Sequence, residues 1–298
     1  MSWMLDRCLL CIVIFSIDFG NGEWIARQKG FSHLQELNPW PPAAKYKSFP
    51  QGPLTLAPGA PGTHAAHDGR HIVLREISSI SRPVLLELGV FLGGSMHRWL
   101  LGNTRLRVVG VDPFTNVSDM VAKWVARDAR YAQYKPAVQQ LAQPQGSYDT
   151  VVSTLWRFQR RACLIMGLSP QVLPQLFGAG LQPDVVYFDN DKSMHDLWVA
   201  HTLWPKAVLA GDDWGHQQQY VKKSPVGNVK RRQFNATNDA AYNVCEFAIK
   251  QGFWVEAKSV TWVLHRIPAS SKHPSKMNDA CRAQRHSRGG KTGRPRRG

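Results

Sequence analysis

The chain has 298 residues, enough to bury one full core with extensions, and 43% of them are apolar, as in a globular protein. Its formal charge of +16 favours anionic partners, and about half of the excess lies beyond residue 269, where nine Lys and Arg stand against one acid, Asp279. The ten-residue apolar run at 8–17 is too short to span a bilayer.

With Arg7 before it, that run resembles a signal-peptide core. However, Asp6 flanks it and no small-x-small cleavage site follows, so a buried strand or helix, or an over-extended start, is expected instead. The five cysteines, Cys8, Cys11, Cys163, Cys245 and Cys281, are scattered. Only Cys8 and Cys11 have Cys-x-x-Cys spacing, which argues against a zinc site or a disulfide framework. A reducing, cytoplasmic setting is expected, with secretion the alternative if 8–17 is a signal core. Residues 39–70 are rich in Pro, Gly, Ala and His and read as an arm; His64, His67 and His71 are expected to be solvated loop histidines. The division expected is an N-terminal arm over 1–70, an α/β domain over 71–268, and a disordered basic tail over 269–298.

Within the domain the pattern predicts a helix at 72–80, a strand at 83–88, a helix at 94–101 and a strand at 106–111. A helical, basic and aromatic stretch follows at 117–141, then a helix at 150–160, a strand at 162–166 and a helix at 170–177. Strands at 184–188 and 206–210 flank a helix at 194–203. An amphipathic helix at 238–250, capped by Gly252, leads into an antiparallel hairpin of 253–257 and 260–266. This alternation predicts an α/β fold: a Rossmann-like, doubly wound, mostly parallel seven-stranded sheet with a C-terminal antiparallel hairpin.

Ligands of such sheets sit beyond the carboxyl ends of the strands. The segment Leu85-Leu86-Glu87-Leu88-Gly89-Val90-Phe91-Leu92-Gly93-Gly94-Ser95 reads as a buried strand turning sharply into a helix, with glycines that let the backbone approach a ligand. About 20 residues on, Arg107-Val108-Val109-Gly110-Val111-Asp112 ends in an acid placed to accept ribose hydroxyls. Together they point to an adenosine-type cofactor. Glu87, Asp112, Asp189 and Asp212 all fall at predicted strand ends. Asp189, Asp212 and Asp213 can converge on one hard cation, for which oxygen ligands favour Mg²⁺. Lys192, three residues past Asp189, would be the base for a substrate hydroxyl if desolvation lowers its pKa. The plain alternative is that Asp212 and Asp213 cap a loop and Lys192 is a surface charge.

The order of Glu-Leu-Gly-Val-Phe-Leu-Gly-Gly-Ser, Val-Gly-Val-Asp, Tyr-Phe-Asp-Asn-Asp-Lys and Leu-Ala-Gly-Asp-Asp-Trp resembles the class I S-adenosylmethionine-dependent methyltransferases. Within them it is closest to small-molecule, cation-dependent O-methyltransferases of catechol or sugar type. The resemblance covers about residues 80–266. It implies methyl transfer from S-adenosyl-L-methionine to a hydroxyl of a sugar, phenol or natural product, assisted by Mg²⁺. Glu87, Gly89, Gly93, Ser95 and Asp112 would hold the cofactor, and Asp189, Asp212 and Asp213 the cation. Lys192 or Asp191 would act near the hydroxyl, with His195 in reserve. The chain departs from the family at Met166-Gly167-Leu168-Ser169, which lacks the acid often found near the adenine amine. Residues 217–232 form a basic lid or a solvated loop, and Trp124, Tyr131 and Tyr134 line an acceptor pocket or pack the core. Two rival readings remain. One is a nicotinamide-dependent oxidoreductase, although Gly89-x-x-x-Gly93 is not its Gly-x-Gly-x-x-Gly turn. The other is an inactive methyltransferase-like protein whose basic tail touches nucleic acid or another anionic surface.

Overall fold

A computed structural model describes residues 22–42, 69–127, 135–190, 192–214 and 240–267, together with Cys281. The strands are β1 (Val84–Leu88), β2 (Arg107–Asp112), β3 (Ala162–Met166), β4 (Val185–Phe188), β5 (Val208–Gly211), β6 (Phe253–Lys258) and β7 (Thr261–Arg266). They form one seven-stranded sheet in the order β3-β2-β1-β4-β5-β7-β6. The first five strands run parallel, and β7 enters antiparallel between β5 and β6. The doubly wound sheet and its closing hairpin are as the alternating pattern predicts.

Buried on both faces, the central strands read as continuous apolar runs, and the period of two decides which side each residue faces. Val84, Leu86 and Leu88 of β1 pack with Val186 and Phe188 of β4 against α1 (Gly22–Leu37), α7 (Leu173–Gly178), α8 (Met194–Leu203) and α9 (Ala240–Gln251). Leu85, Val185 and Tyr187 face α2 (His71–Ser78), α3 (Gly94–Gly102) and α6 (Gly146–Leu155). The helical stretch at 117–141 contains two helices, α4 (Ser118–Arg127) and α5 (Lys135–Leu141). They pack Val121 and Leu141 over Leu92, beside the glycine turn.

The sequence pattern did not anticipate α1. Phe31 and Leu34, three apart, bury one side of it on the sheet. Gln35 of α1 and Trp40 just beyond it close the β3 edge: Gln35 Nε2 donates to the Ala162 carbonyl at 3.1 Å, and Trp40 Nε1 to the same oxygen at 2.9 Å. An edge strand needs such cover, and only the tertiary arrangement reveals it.

The expectation of unpaired thiols is corrected by a disulfide between Cys245 on α9 and Cys281, 36 residues apart. Cys281, from the stretch read as tail, is buried in the main core. No local spacing announces a pairing that requires the chain to return to α9. Cys163 is a buried free thiol, which burial pushes up to about 12. Closing a loop of this size stabilises a fold by about 2–4 kcal/mol through the unfolded chain. A Cys245→Ala/Cys281→Ala variant should therefore unfold at a lower urea midpoint, its unfolding free energy smaller by about 2–4 kcal/mol. Equal midpoints would show that the bond contributes nothing. Among the described residues no helix is long and apolar enough to cross a membrane. The 8–17 run, His64, His67 and the 217–232 stretch lie outside the described residues, as do Tyr131, Tyr134 and the basic end of the chain apart from Cys281.

Candidate functional site

β1 and β2 end side by side. Leu88 pairs with Val111, so Gly89 and Asp112 are adjacent at the rim. Gly89 has φ +91°, and a Cβ there would stand 2.6 Å from the Asp189 carbonyl oxygen. The turn can pass beneath the end of β4 only because this residue carries no side chain. It closes through the Gly93 N–H donating to the Val90 carbonyl at 2.9 Å. Gly93, also left-handed, caps α3 without a side-chain hydrogen bond, leaving first-turn N–H groups for a ligand or water.

Asp112 ties this turn to β2. Its Oδ2 accepts from the backbone N–H groups of Val90 and Phe91, both at 2.9 Å, and its Oδ1 from that of Phe114 at 2.7 Å. A carboxylate offers about four acceptor positions, so one remains on this half-buried group. Phe91 and Phe114 have φ of 52° and 48°, a left-handed region that residues with a Cβ avoid. Beside Asp112, which pairs with Met166, the exposed side chains of Met166 and Leu168 form an apolar shelf.

Glu87 lies one residue inside the rim, opposite Gly110, and is fully buried. Its Oε1 accepts from Ser95 Oγ and its Oε2 from Trp99 Nε1 at 2.9 Å. Burial pushes its carboxyl up to about 8, although Ser95 pulls the other way. Glu87 and Ser95 are thus engaged with each other under the turn.

The acids of β4 and β5 do converge, but on two side-chain cations. Arg70 Nη2 stands 2.5 Å from Asp212 Oδ2 and 3.6 Å from Asp189 Oδ2. Lys192 Nζ stands 2.6 Å from Asp213 Oδ2 and 3.6 Å from Asp189 Oδ1. Arg70 Nε also donates to Tyr187 Oη at 3.1 Å. Burial raises the Asp189 carboxyl against the pull of Lys192 and Arg70, and it pushes Asp212 up to about 7 against Arg70. Among the described residues, buried Asp212 Oδ1 has no hydrogen-bond partner. Lys192 and Asp213 have left-handed φ of 47° and 63°. Strained backbone thus occurs where these two side chains meet, as it does beside Asp112.

Two expectations change. Each of the three carboxylates that a divalent ion would need already faces Arg70 or Lys192 through at least one oxygen. Among the described residues no three His, Cys, Asp or Glu are arranged to hold a metal ion. The acid cluster therefore does not fit Mg²⁺. Lys192 is also no base: burial lowers its pKa, but Asp189 and Asp213 outweigh that and the net shift is upward, so it stays charged.

The remaining candidates are dispersed. His195 is exposed on the first turn of α8, with no hydrogen-bond partner among the described residues. Asp191 lies outside the described residues. Asp196 belongs to the N-cap of α8: its N–H donates to Ser193 Oγ at 3.0 Å, and its carboxylate accepts from the side chains of Ser193, Ser169 and Asn190. Trp124 meets Phe91 of the glycine turn, with ring centroids 5.6 Å apart. Arg70 was missed, because a lone arginine before a helix carries no sequence signal that it reaches acids more than a hundred residues away.

No protein-family profile matches the chain, and no curated protein matches it. Several solved structures are similar to it. A cofactor-bound protein from MTB has 18% identity and a TM-score of 0.45, covering 76% of this chain and 96% of its own. A putative caffeoyl-CoA O-methyltransferase from Staphylococcus aureus has 14% identity and a TM-score of 0.41, covering 66% and 82%. An O-methyltransferase from Bacillus cereus in complex with SAH has 15% identity and a TM-score of 0.39, covering 79% and 89%. Likeness of this degree leaves the chemistry to be argued from the site itself.

Proposed function

We propose that this chain is an S-adenosylmethionine-dependent methyltransferase acting on a hydroxyl of a small molecule. One observation carries the reading: the parallel register sets the glycine turn, Asp112 and the Asp189–Asp212–Lys192 cluster on neighbouring strand ends. The residues present fit the cofactor. Gly89 keeps the floor clear, the first turn of α3 is uncapped, and Asp112 retains one acceptor position for ribose. Met166 and Leu168 offer an apolar surface to a base. When bound, S-adenosylmethionine supplies a methyl group already activated on a sulfonium. The chain then has to align the acceptor and take up its proton. Asp212 Oδ1, which has no hydrogen-bond partner among the described residues, would be the group that takes that proton. Arg70 and Lys192 supply positive charge beside the oxygen that loses it.

Calorimetric titration with S-adenosylhomocysteine tests the reading. The wild type should bind, and Asp112→Ala should weaken binding about 100-fold. Hydrogen bonds to a charged acceptor are worth about 1.5–3 kcal/mol, and tenfold in affinity is about 1.4 kcal/mol. Asp112→Asn keeps one acceptor for the turn and controls for its collapse. Folded wild-type protein that binds NAD⁺ but not S-adenosylhomocysteine would overturn the assignment, as would binding of neither.

A further inference from the structure

We propose that Arg70 is the resident cation of this rim. It stands where a divalent ion was expected, so the chain's own charges hold the acceptor oxygen. As far as it concerns an acceptor, the inference rests on the methyltransferase reading; the identity of the cation does not.

Arg70 is fixed from several directions. Its side chain is 9% exposed. Its carbonyl accepts the N–H groups of Val73 and Leu74, which starts α2. Gly69 before it lies against the Lys258 carbonyl in the β6–β7 turn. The guanidinium is thereby delivered onto Asp212, Asp189 and Tyr187 at once. Asp189 is the shared member, with one oxygen towards Arg70 and the other towards Lys192.

Charge and geometry both oppose a metal alongside it. Among the described residues, three carboxylates and two cations leave one net negative charge, which a divalent ion would invert in a largely buried place. Mg²⁺ also requires near-octahedral oxygens at about 2.0–2.1 Å, whereas Asp212 Oδ2 is committed to Arg70. Removing Arg70 would vacate the position and leave its carboxylates under-neutralised. A clip that only docks α2 would create no ion site when removed.

Mn²⁺ is the probe, titrated calorimetrically into the full chain. Wild type and Arg70→Lys should show no binding tighter than roughly millimolar. Arg70→Ala should bind one Mn²⁺ at least about tenfold more tightly, and adding Asp212→Asn should abolish the gain. Mn²⁺ should raise the Tm of Arg70→Ala but not of wild type. If the alanine variant does not fold, Arg70→Gln, neutral and of similar reach, carries the same test. Tight wild-type Mn²⁺ binding that Asp212→Asn removes would overturn the proposal. So would folded Arg70→Ala or Arg70→Gln protein that gains no Mn²⁺ site. S-adenosylhomocysteine titrated into the same samples separates the two readings. If it fails to bind while the Mn²⁺ pattern holds, methyl transfer falls and Arg70 stands as the cation. If it binds only with Mn²⁺ present, the inference about Arg70 falls instead.

Discussion

Trp262→Ala should lower the unfolding free energy by about 3–5 kcal/mol, the range for deleting a buried large aromatic. Trp262 is fully buried on β7 and stacks on Phe188 at the end of β4, with centroids 6.0 Å apart. Its place exists because Gly211 has no side chain: a Cβ there would come within 2.5 Å of the indole. The ring also supports the site, since Nε1 donates to the Asp212 carbonyl at 3.0 Å. Alanine therefore opens a cavity and leaves a buried acceptor without its donor. Trp262→Phe, which retains most of the packing, should cost about 1–2 kcal/mol. Urea unfolding of both variants decides it. Equal losses would assign the whole effect to the hydrogen bond.

Glu87→Gln should make the protein more stable at high pH and leave it unchanged at low pH. Burial places the Glu87 carboxyl at about 8, against an ordinary 4.5. Below about 4.5 the group is protonated in both folded and unfolded chains and contributes no pH dependence. Between those values the unfolded chain loses the proton while the folded chain keeps it, so stability falls as pH rises. Above about 8 both are ionised, and the loss is complete and constant. At about 1.4 kcal/mol per pKa unit, the whole window is worth about 3–5 kcal/mol. Glutamine preserves the shape, accepts from Trp99 and donates to Ser95, but cannot ionise. Urea midpoints of wild type and variant should coincide at about pH 4 and separate by about pH 9. Parallel pH profiles would show that Glu87 is ionised in the fold at neutral pH. The same physics explains why Glu87 serves the turn from beneath: a neutral acid between Ser95 and Trp99 fastens α3 to β1.

Much of the fold was legible because its signals are local. Val185 to Phe188 is a continuous apolar run and Val84 to Leu88 is apolar but for Glu87, a pattern that marks strands buried on both faces. Ser193 and Asp196 three residues apart announce the start of α8. The glycine turn and Asp112 follow from strand ends and chemistry together. In contrast, α1 has a weak periodic signal, and its role in closing the β3 edge depends on carbonyls far along the chain.

The sequence by itself determined the sheet, the helices from α2 onwards and the residues at the rim, because hydrophobic period, turn chemistry and strand-end acids act over a few residues. Only the tertiary structure decided what those acids face. Arg70 reaches Asp212 across 142 positions, Lys192 reaches Asp213 across 21, and Cys281 returns to Cys245 across 36. A carboxylate's partner, and hence its charge state and chemistry, is set by proximity in space and by burial. Those quantities are properties of the packed molecule, so the same three aspartates that read as a metal site in sequence became a cluster paired with the chain's own cations once the chain had folded around them.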